Sequence, residues 1–268
     1  MYRIKATSGT GEWAGWGCNL CRHCKHGCLY CYQAASDLEN GRIKNREEWL
    51  NMVLVEKELD LPPKKLDAPI MLPTGHDLFP EHMDDTIRFL SKWLAVGNEF
   101  LIVTKPHLEC VKRMCDELAD YKSQILFRFT IGSTSDADLK FWEPNAPLFN
   151  ERLDSLKYAF EHGFKTSVSS EPMLGGRETA RALYDALVPY VTDAIWFGKM
   201  NKIDGKFGRV KITSMDVQVR VDNIKRLQSN TEIMMLYNDM KDKPKIKWKE
   251  SIKRIAGLPL ADKPGTDK

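Results

Sequence analysis

Short runs of β-branched and aromatic residues alternate along the chain with longer segments in which apolar residues recur every three or four positions. The first kind of run suits a strand, whose side chains alternate between two faces. The second suits a helix with one buried stripe. Ile70 to Leu72, Phe100 to Thr104, Ile125 to Ile131, Lys165 to Ser169 and Ala194 to Phe197 read as strands, with an earlier one around Trp13 to Gly17. Each of the five is followed by a turn and a helical pattern. After Leu72, the residues Met83, Ile87, Leu90 and Leu94 share a face that stops at Gly97, a residue suited to the left-handed turn beyond a helix. After Ile131 the same reading gives Phe149, Leu153, Leu156 and Phe160, stopping at Gly163. Further helices are expected from about Leu108 to Tyr121, Glu178 to Tyr190 and Ser214 to Gln228.

Strand-helix alternation with short connections predicts an α/β fold with a parallel sheet, and about six such units make a partial (β/α)6 barrel of the TIM type. Chemistry in such barrels sits at the C-terminal ends of the strands. Attention therefore falls on Pro73 to Asp77, Thr104 to His107, Thr130 to Ser135, Ser169 to Pro172 and Gly198 to Asn201. Residues 1–240 are expected to form the barrel, with a cysteine loop at 18–32, and residues 241–268 a basic C-terminal extension. There is no sequence repeat beyond the β/α alternation.

Five of the seven cysteines (Cys18, Cys21, Cys24, Cys28 and Cys31) lie within fourteen consecutive positions of the 268. With no apolar leader ahead of them, they argue for thiol chemistry in a reducing compartment, the cytoplasm, rather than for a disulfide framework. Cys24, Cys28 and Cys31, spaced by three and then two residues, can ligate three irons of a cubane cluster and leave the fourth open to a small ligand. Two other registers use the same loop. Cys18, Cys21, Cys24 and Cys28 fit the bacterial ferredoxin run, although Leu29 stands where that run has proline. Cys21 with Cys24 and Cys28 with Cys31 could serve as two zinc knuckles, although only three residues separate the pairs. Either register would make the chain a non-catalytic electron-transfer or zinc-binding protein. Cys115 shares a helical face with Val111 and Leu118 and reads as core.

Charge adds little. Lys and Arg total 40 against 37 for Asp and Glu, a net of +3, and no apolar run is long enough to span a bilayer. The last 28 residues, however, hold nine basic and four acidic side chains, a surplus of +5. Within them Lys245, Lys247 and Lys249 alternate with Ile246 and Trp248. Such a strand would carry its lysines on one face, either as a nucleic-acid contact or simply in water, with Trp248 packed on the barrel.

The segment from Cys24 to Cys31, with Tyr30 directly before the third cysteine, resembles the signature of radical S-adenosylmethionine enzymes. From Trp16 to Asn201 the likeness sharpens toward the spore photoproduct lyase-like branch. Its further marks are Val103-Thr104-Lys105, Arg128-Phe129-Thr130-Ile131, Glu143-Pro144-Asn145-Ala146-Pro147 and Glu151-Arg152-Leu153. The resemblance implies a partial (β/α)6 barrel, a 4Fe-4S cluster, and S-adenosylmethionine split by one electron into methionine and a 5′-deoxyadenosyl radical that takes a hydrogen atom from the substrate. It also implies a one-electron donor such as flavodoxin or ferredoxin. Carried over by residue, Lys105 would reach the methionine carboxylate, Thr74 and Gly75 would receive its amino group, Thr130 would place a hydroxyl at the cofactor, and Tyr30 would shield the adenine.

One departure limits the carry-over. Spore photoproduct lyases place a hydrogen-donating cysteine after the second strand, where this chain reads Pro73-Thr74-Gly75-His76-Asp77. Thymine-dimer reversal is therefore not implied, while a nucleic acid or nucleotide substrate stays open. His76 and Asp77 are candidate proton-transfer or substrate groups, Glu171, Lys199 and Asn201 candidate pocket residues, and Glu143 with Arg152 a candidate structural ion pair.

Overall fold

The computed structural model describes residues 1–204 and 209–266. The chain begins with β1 (Tyr2–Arg3), β2 (Trp16–Gly17) and β3 (Cys21–Arg22), then α1 (Tyr32–Glu39), β4 (Val53–Leu54) and the short α2 (Glu56–Leu59). Next come β5 (Ile70–Leu72), α3 (Met83–Ala95), β6 (Phe100–Thr104), α4 (Leu108–Glu117), β7 (Ile125–Thr130), α5 (Asp136–Trp142) and α6 (Phe149–Glu161). The chain ends with β8 (Lys165–Ser170), α7 (Arg177–Leu187), β9 (Ile195–Phe197), α8 (Met215–Leu227), α9 (Asn230–Met240), β10 (Ile246–Trp248) and α10 (Glu250–Ala256). Eight strands form one sheet in the order β1-β2-β5-β6-β7-β8-β9-β10, and β3 pairs with β4 apart from it. β1 runs antiparallel on β2, and every later neighbour in the sheet is parallel. The architecture is a partial barrel of the TIM type whose sheet does not close, with β1 and β10 at its edges. No helix among the described residues is long and apolar enough to cross a membrane.

Alternation along each strand separates two environments. Ile70, Leu72, Ile102, Phe127, Phe129, Val168, Ile195, Phe197 and Trp248 pack with the helices in the main apolar core. The other face is concave, and the parallel register keeps it in step: Met71 beside Leu101, Leu101 beside Leu126, Arg128 beside Ser167, Ser169 beside Trp196, and Trp196 beside Lys247. The N-terminal segment fills this concavity. Ile4 and Ala14 are buried with Met71 and Leu101, and Trp13 packs against them. The Trp13 ring lies 4.7 Å from the Arg128 guanidinium and 3.6 Å from the Lys249 ammonium, and meets Trp196 edge-on at 5.7 Å.

Three sequence expectations change here. The segment expected as a basic extension enters the sheet: β10 pairs along β9, and α10 packs on α9. Its lysines do share a face opposite Trp248, but only Lys245 is exposed, while Lys247 and Lys249 turn toward the barrel interior. Lys249 is fully buried between Glu12 (2.8 Å) and Glu171 (3.1 Å), Lys245 donates to the Val191 carbonyl, and Lys247 lies over Trp196. Finally, α6 buries Arg152, Ser155, Leu156 and Ala159 while Phe160 is exposed, because Arg152 is drawn inward to Glu143 and turns the helix with it. α3 and α6 end as expected, with Gly97 (φ +85°) and Gly163 (φ +78°) in the left-handed region.

Candidate active site

Five strand ends converge on one cavity of about 740 Å³. Cys24, Cys28, Tyr30 and Cys31 line it from one side, together with Thr74, Gly75, His76, Asp77, Lys105 and Thr130. Sequence reasoning named all of these, and the fold brings them together. Cys18 and Cys21 are placed elsewhere: Cys18 is fully buried in the main core, its amide on the Met71 carbonyl, and Cys21 lies on β3 and lines a smaller cavity. Cys110 and Cys115 are core residues.

The cysteine loop turns between Cys24 and Cys28 at Gly27, whose φ of +63° suits glycine and whose missing Cβ leaves room for Leu50. Cys31 then caps α1, its sulfur accepting from the Ala34 amide. A helix N-terminus favours negative charge on such a sulfur. As free thiols these groups resist ionisation: burial pushes Cys28 up to about 12 and Cys24 well above its ordinary value. A bound cation reverses that balance, so the buried Cys24 and Cys28 and the half-buried Cys31 on one wall form a soft donor set suited to iron.

Behind the loop, Glu143 is the buried anchor. It accepts from the Tyr30 hydroxyl and pairs with Arg152, whose other nitrogens donate to the carbonyls of Pro147 and Thr130. Burial opposes ionisation of Glu143, yet Arg152 and Lys105 outweigh it and hold the carboxyl below its usual range. The same segment holds the cysteine loop by its backbone. The Leu29 amide donates to Trp142, the Asn145 amide to His26, and the Asn145 side chain to Lys25. The Glu143-to-Pro147 stretch thus clamps the loop, and the tyrosine expected over adenine is committed through its hydroxyl to that clamp.

Asp77 is the second anchor. Its Oδ1 accepts from the Thr104 hydroxyl (2.8 Å) and the Lys105 amide (2.6 Å), and its Oδ2 from His26 Nδ1 (2.9 Å) and Lys105 Nζ (3.2 Å), while Cys24 Sγ lies 3.8 Å from Oδ2. Burial penalises the Asp77 carboxylate, but Lys105 and His26 overcome this and hold it well below the usual carboxylate range. Cys24, His26 and Asp77 offer ligand atoms within 4.8 Å of one another, a spacing that could hold a metal ion. Both Asp77 oxygens are already saturated by donors, so the carboxylate suits the role of an orienting group better than that of a ligand. His26 continues outward to His107 (3.0 Å), which Glu151 faces at 3.7 Å.

Several contributors were not legible beforehand. Asn19 accepts from the amides of both Thr74 and Gly75 and donates to Thr74 Oγ1, fixing the turn after β5. Tyr32 donates to the Thr74 carbonyl, and Arg46 to the carbonyls of Cys28 and Arg209. These polar residues carry no periodic signal, and their partners are distant in sequence.

His76 illustrates how burial decides a role. Its Nδ1 donates to the Asp77 carbonyl and its Nε2 accepts from the Cys21 amide, an arrangement that needs the neutral ring. Burial drops its pKa to about 4. The unfolded ring titrates near 6.5, so the unfolded state takes up the proton first, and the stability that His76 contributes is lost as pH falls from about 6.5 toward 4. We expect His76→Asn to flatten this part of the profile in urea unfolding at pH 7 and pH 5. An unchanged slope between those values would remove the assignment.

The sequence model of the radical SAM superfamily matches residues 18–187. The chain belongs to the radical SAM superfamily. Among curated proteins it is 28% identical over 171 residues to the uncharacterized protein ORF301 of Acidianus two-tailed virus, covering 59% of this chain and 56% of that one, so it spans about half the length of that relative. Among solved structures it is similar to spore photoproduct lyase complexed with dinucleoside spore photoproduct (TM-score 0.56, 13% identity, 91% of this chain and 78% of that one). It is also similar to Streptococcus suis SuiB bound to precursor peptide SuiA (TM-score 0.54, 14% identity, 90% and 51%). These two likenesses establish the shared fold, including the one expected toward spore photoproduct lyase.

Proposed function

We propose that this protein is a radical S-adenosylmethionine enzyme in which Cys24, Cys28 and Cys31 hold a 4Fe-4S cluster. The observation that carries the reading is the convergence of these three thiols on one wall of a cavity at the C-terminal mouth of a partial parallel barrel. When bound, cluster and cofactor would supply one-electron cleavage of the sulfonium and a 5′-deoxyadenosyl radical able to take a hydrogen atom from substrate. The chain's own residues bind and orient. Lys105 offers an ammonium to the methionine carboxylate while sharing its charge with Asp77, and Thr130 lines the concave face where a ribose or adenine would lie. Thr74 and Gly75 border the cavity at the end of β5, in a turn that Asn19 holds rigid. Trp13 and the residues around it seal the barrel floor, which keeps water from the reacting end.

The ferredoxin register is disfavoured because Cys18 lies in the apolar core, away from the other thiols. A zinc site drawing on Cys21 meets the same difficulty, since Cys21 does not border the cavity. A reduced cluster with one iron open to a ligand needs a reducing compartment, consistent with the cytoplasm, and a donor such as flavodoxin or ferredoxin. The substrate proposed from the resemblance to the spore photoproduct lyase-like branch is a nucleotide or nucleic acid, and Lys247 and Lys249 do not add to it because they are committed to the barrel interior.

The test is calorimetric titration of S-adenosylmethionine into iron-loaded protein. Lys105→Ala should keep its iron and weaken binding roughly 10- to 150-fold, the worth of one charge-assisted hydrogen bond. Equal affinity in the variant would take Lys105 out of the cofactor site.

A further inference from the structure

The cavity's charges do not balance, and the imbalance is local. Four acidic residues line it: Glu12 and Glu171 share Lys249, Asp77 pairs with Lys105 and Glu250 with Arg254, which leaves one negative charge over. Three further cations line the same cavity beyond β9, namely Lys199, Lys202 and Arg209, and among the described residues none of them meets an acidic side chain. Lys199 is half-buried, and burial alone lowers its pKa. An ammonium half-removed from water with no counter-charge is unfavourable by itself, and a bound anion removes that penalty.

The backbone presents this group firmly. The Lys199 amide donates to Ser251 Oγ at 3.0 Å, and the Met200 amide to Gln228 Oε1 at 2.8 Å. The Gln228 side chain is itself held by the carbonyls of Met173 and Gly175. Gly198 lies so close to Glu171 and Lys249 that a Cβ would fall 2.9 Å and 3.0 Å from their side chains, which sets Lys199 directly beside the buried Glu12–Lys249–Glu171 group. Lys202 holds a left-handed backbone (φ +50°) although it is not glycine, and the amide of Arg209 donates back to its carbonyl. The Arg209 guanidinium stands 5.7 Å from the ring of Tyr32, which follows the last cluster cysteine. The three cations therefore border the cavity between the end of β9 and the cysteine loop.

S-adenosylmethionine cannot supply the missing negative charge. It carries an ammonium and a sulfonium against one carboxylate, and that carboxylate has Lys105. A cluster on three thiolates would bring a net negative charge that the net positive charge of S-adenosylmethionine offsets, so the remaining surplus of positive charge is left to the second ligand of the cavity. Several cations including an arginine suit a group with three acceptor oxygens and up to two charges better than a single carboxylate. We propose that Lys199, Lys202 and Arg209 form a phosphate subsite, and that the substrate of this enzyme is a phosphate ester. The proposal rests on the reading of the cavity as the site of cofactor and substrate, and deepens it by naming the chemistry of the second ligand.

The experiment uses iron-loaded protein with saturating S-adenosylmethionine, whose own binding is measured first. Adenosine 5′-monophosphate and a fluorescent ten-nucleotide single-stranded DNA are titrated as probes, with succinate as the carboxylate control. Wild type is compared with Lys199→Gln, Arg209→Gln and the double variant, each checked for folding by circular dichroism. We expect at least one phosphate probe to bind, and each lost cation to weaken it roughly tenfold or more. For the DNA the log-log salt slope should also shrink by about 0.7 per cation removed. Binding of the mononucleotide as well as the DNA would identify a small phosphate ester, and binding of the DNA alone a nucleic-acid backbone. Absence of binding by both phosphate probes at low salt, affinity indifferent to the substitutions, or preference for succinate would overturn the subsite. If wild type failed to bind S-adenosylmethionine, the cofactor reading itself would fall, whatever the phosphate probes did.

Discussion

Replacing Cys24, Cys28 or Cys31 singly by alanine is expected to abolish iron loading and all cleavage of S-adenosylmethionine, while Cys18→Ala and Cys21→Ala load iron as wild type does. In the proposed cluster each of the three thiols at the cavity wall would supply one iron ligand, and the remaining cysteines lie in the core or on β3. None can substitute without moving backbone. Cys18, fully buried with its amide on Met71, would have to leave the apolar core to reach the cavity. Iron and sulfide analysis after anaerobic reconstitution decides the matter. Loss of iron in Cys18→Ala together with retention in Cys31→Ala would favour the ferredoxin register instead.

Arg152→Met is expected to be the most destabilising substitution outside the cysteine loop. It leaves the Glu143 carboxylate buried without its partner and frees the carbonyls of Thr130 and Pro147. Removing one member of a buried ion pair costs about 3–5 kcal/mol. For a chain of this size that corresponds to a fall in melting temperature of roughly 6–20 °C. Because Glu143 also holds Tyr30 and its segment holds the cysteine loop, iron retention should suffer as well. A thermal melt within two or three degrees of wild type would show that the pair matters little, as exposed pairs usually do.

What the chain discloses before folding follows from the range of the interactions. The strands from Ile70 onward and the helices between them are written in local periodicity, and so they could be read. The cysteine loop was legible because Cys24, Cys28 and Cys31 lie within eight positions. The luminal group was not: Glu12, Glu171 and Lys249 are far apart in sequence, and only the folded sheet with the N-terminal segment in its concavity brings them together. The alternation of Lys245, Lys247 and Lys249 correctly indicated a strand with two unlike faces. Alternation does not say which face meets water, and here Lys249 meets Glu12, Glu171 and the Trp13 ring and Lys247 the Trp196 ring, while Lys245 stays exposed. A similar ambiguity turned α6, where apolar spacing marked Phe160 for burial but the Arg152 ion pair fixed the inward face. The likeness to spore photoproduct lyase shares the same limit, since a common fold does not carry a substrate with it.

The reading stands or falls on whether this chain cleaves its proposed cofactor. Protein reconstituted anaerobically with iron and sulfide, then given dithionite and S-adenosylmethionine, should release 5′-deoxyadenosine, and Cys28→Ala treated identically should release none. Formation of the nucleoside in both samples, or its absence from wild type that holds a full iron and sulfide complement and binds S-adenosylmethionine, would contradict the assignment of a radical S-adenosylmethionine enzyme.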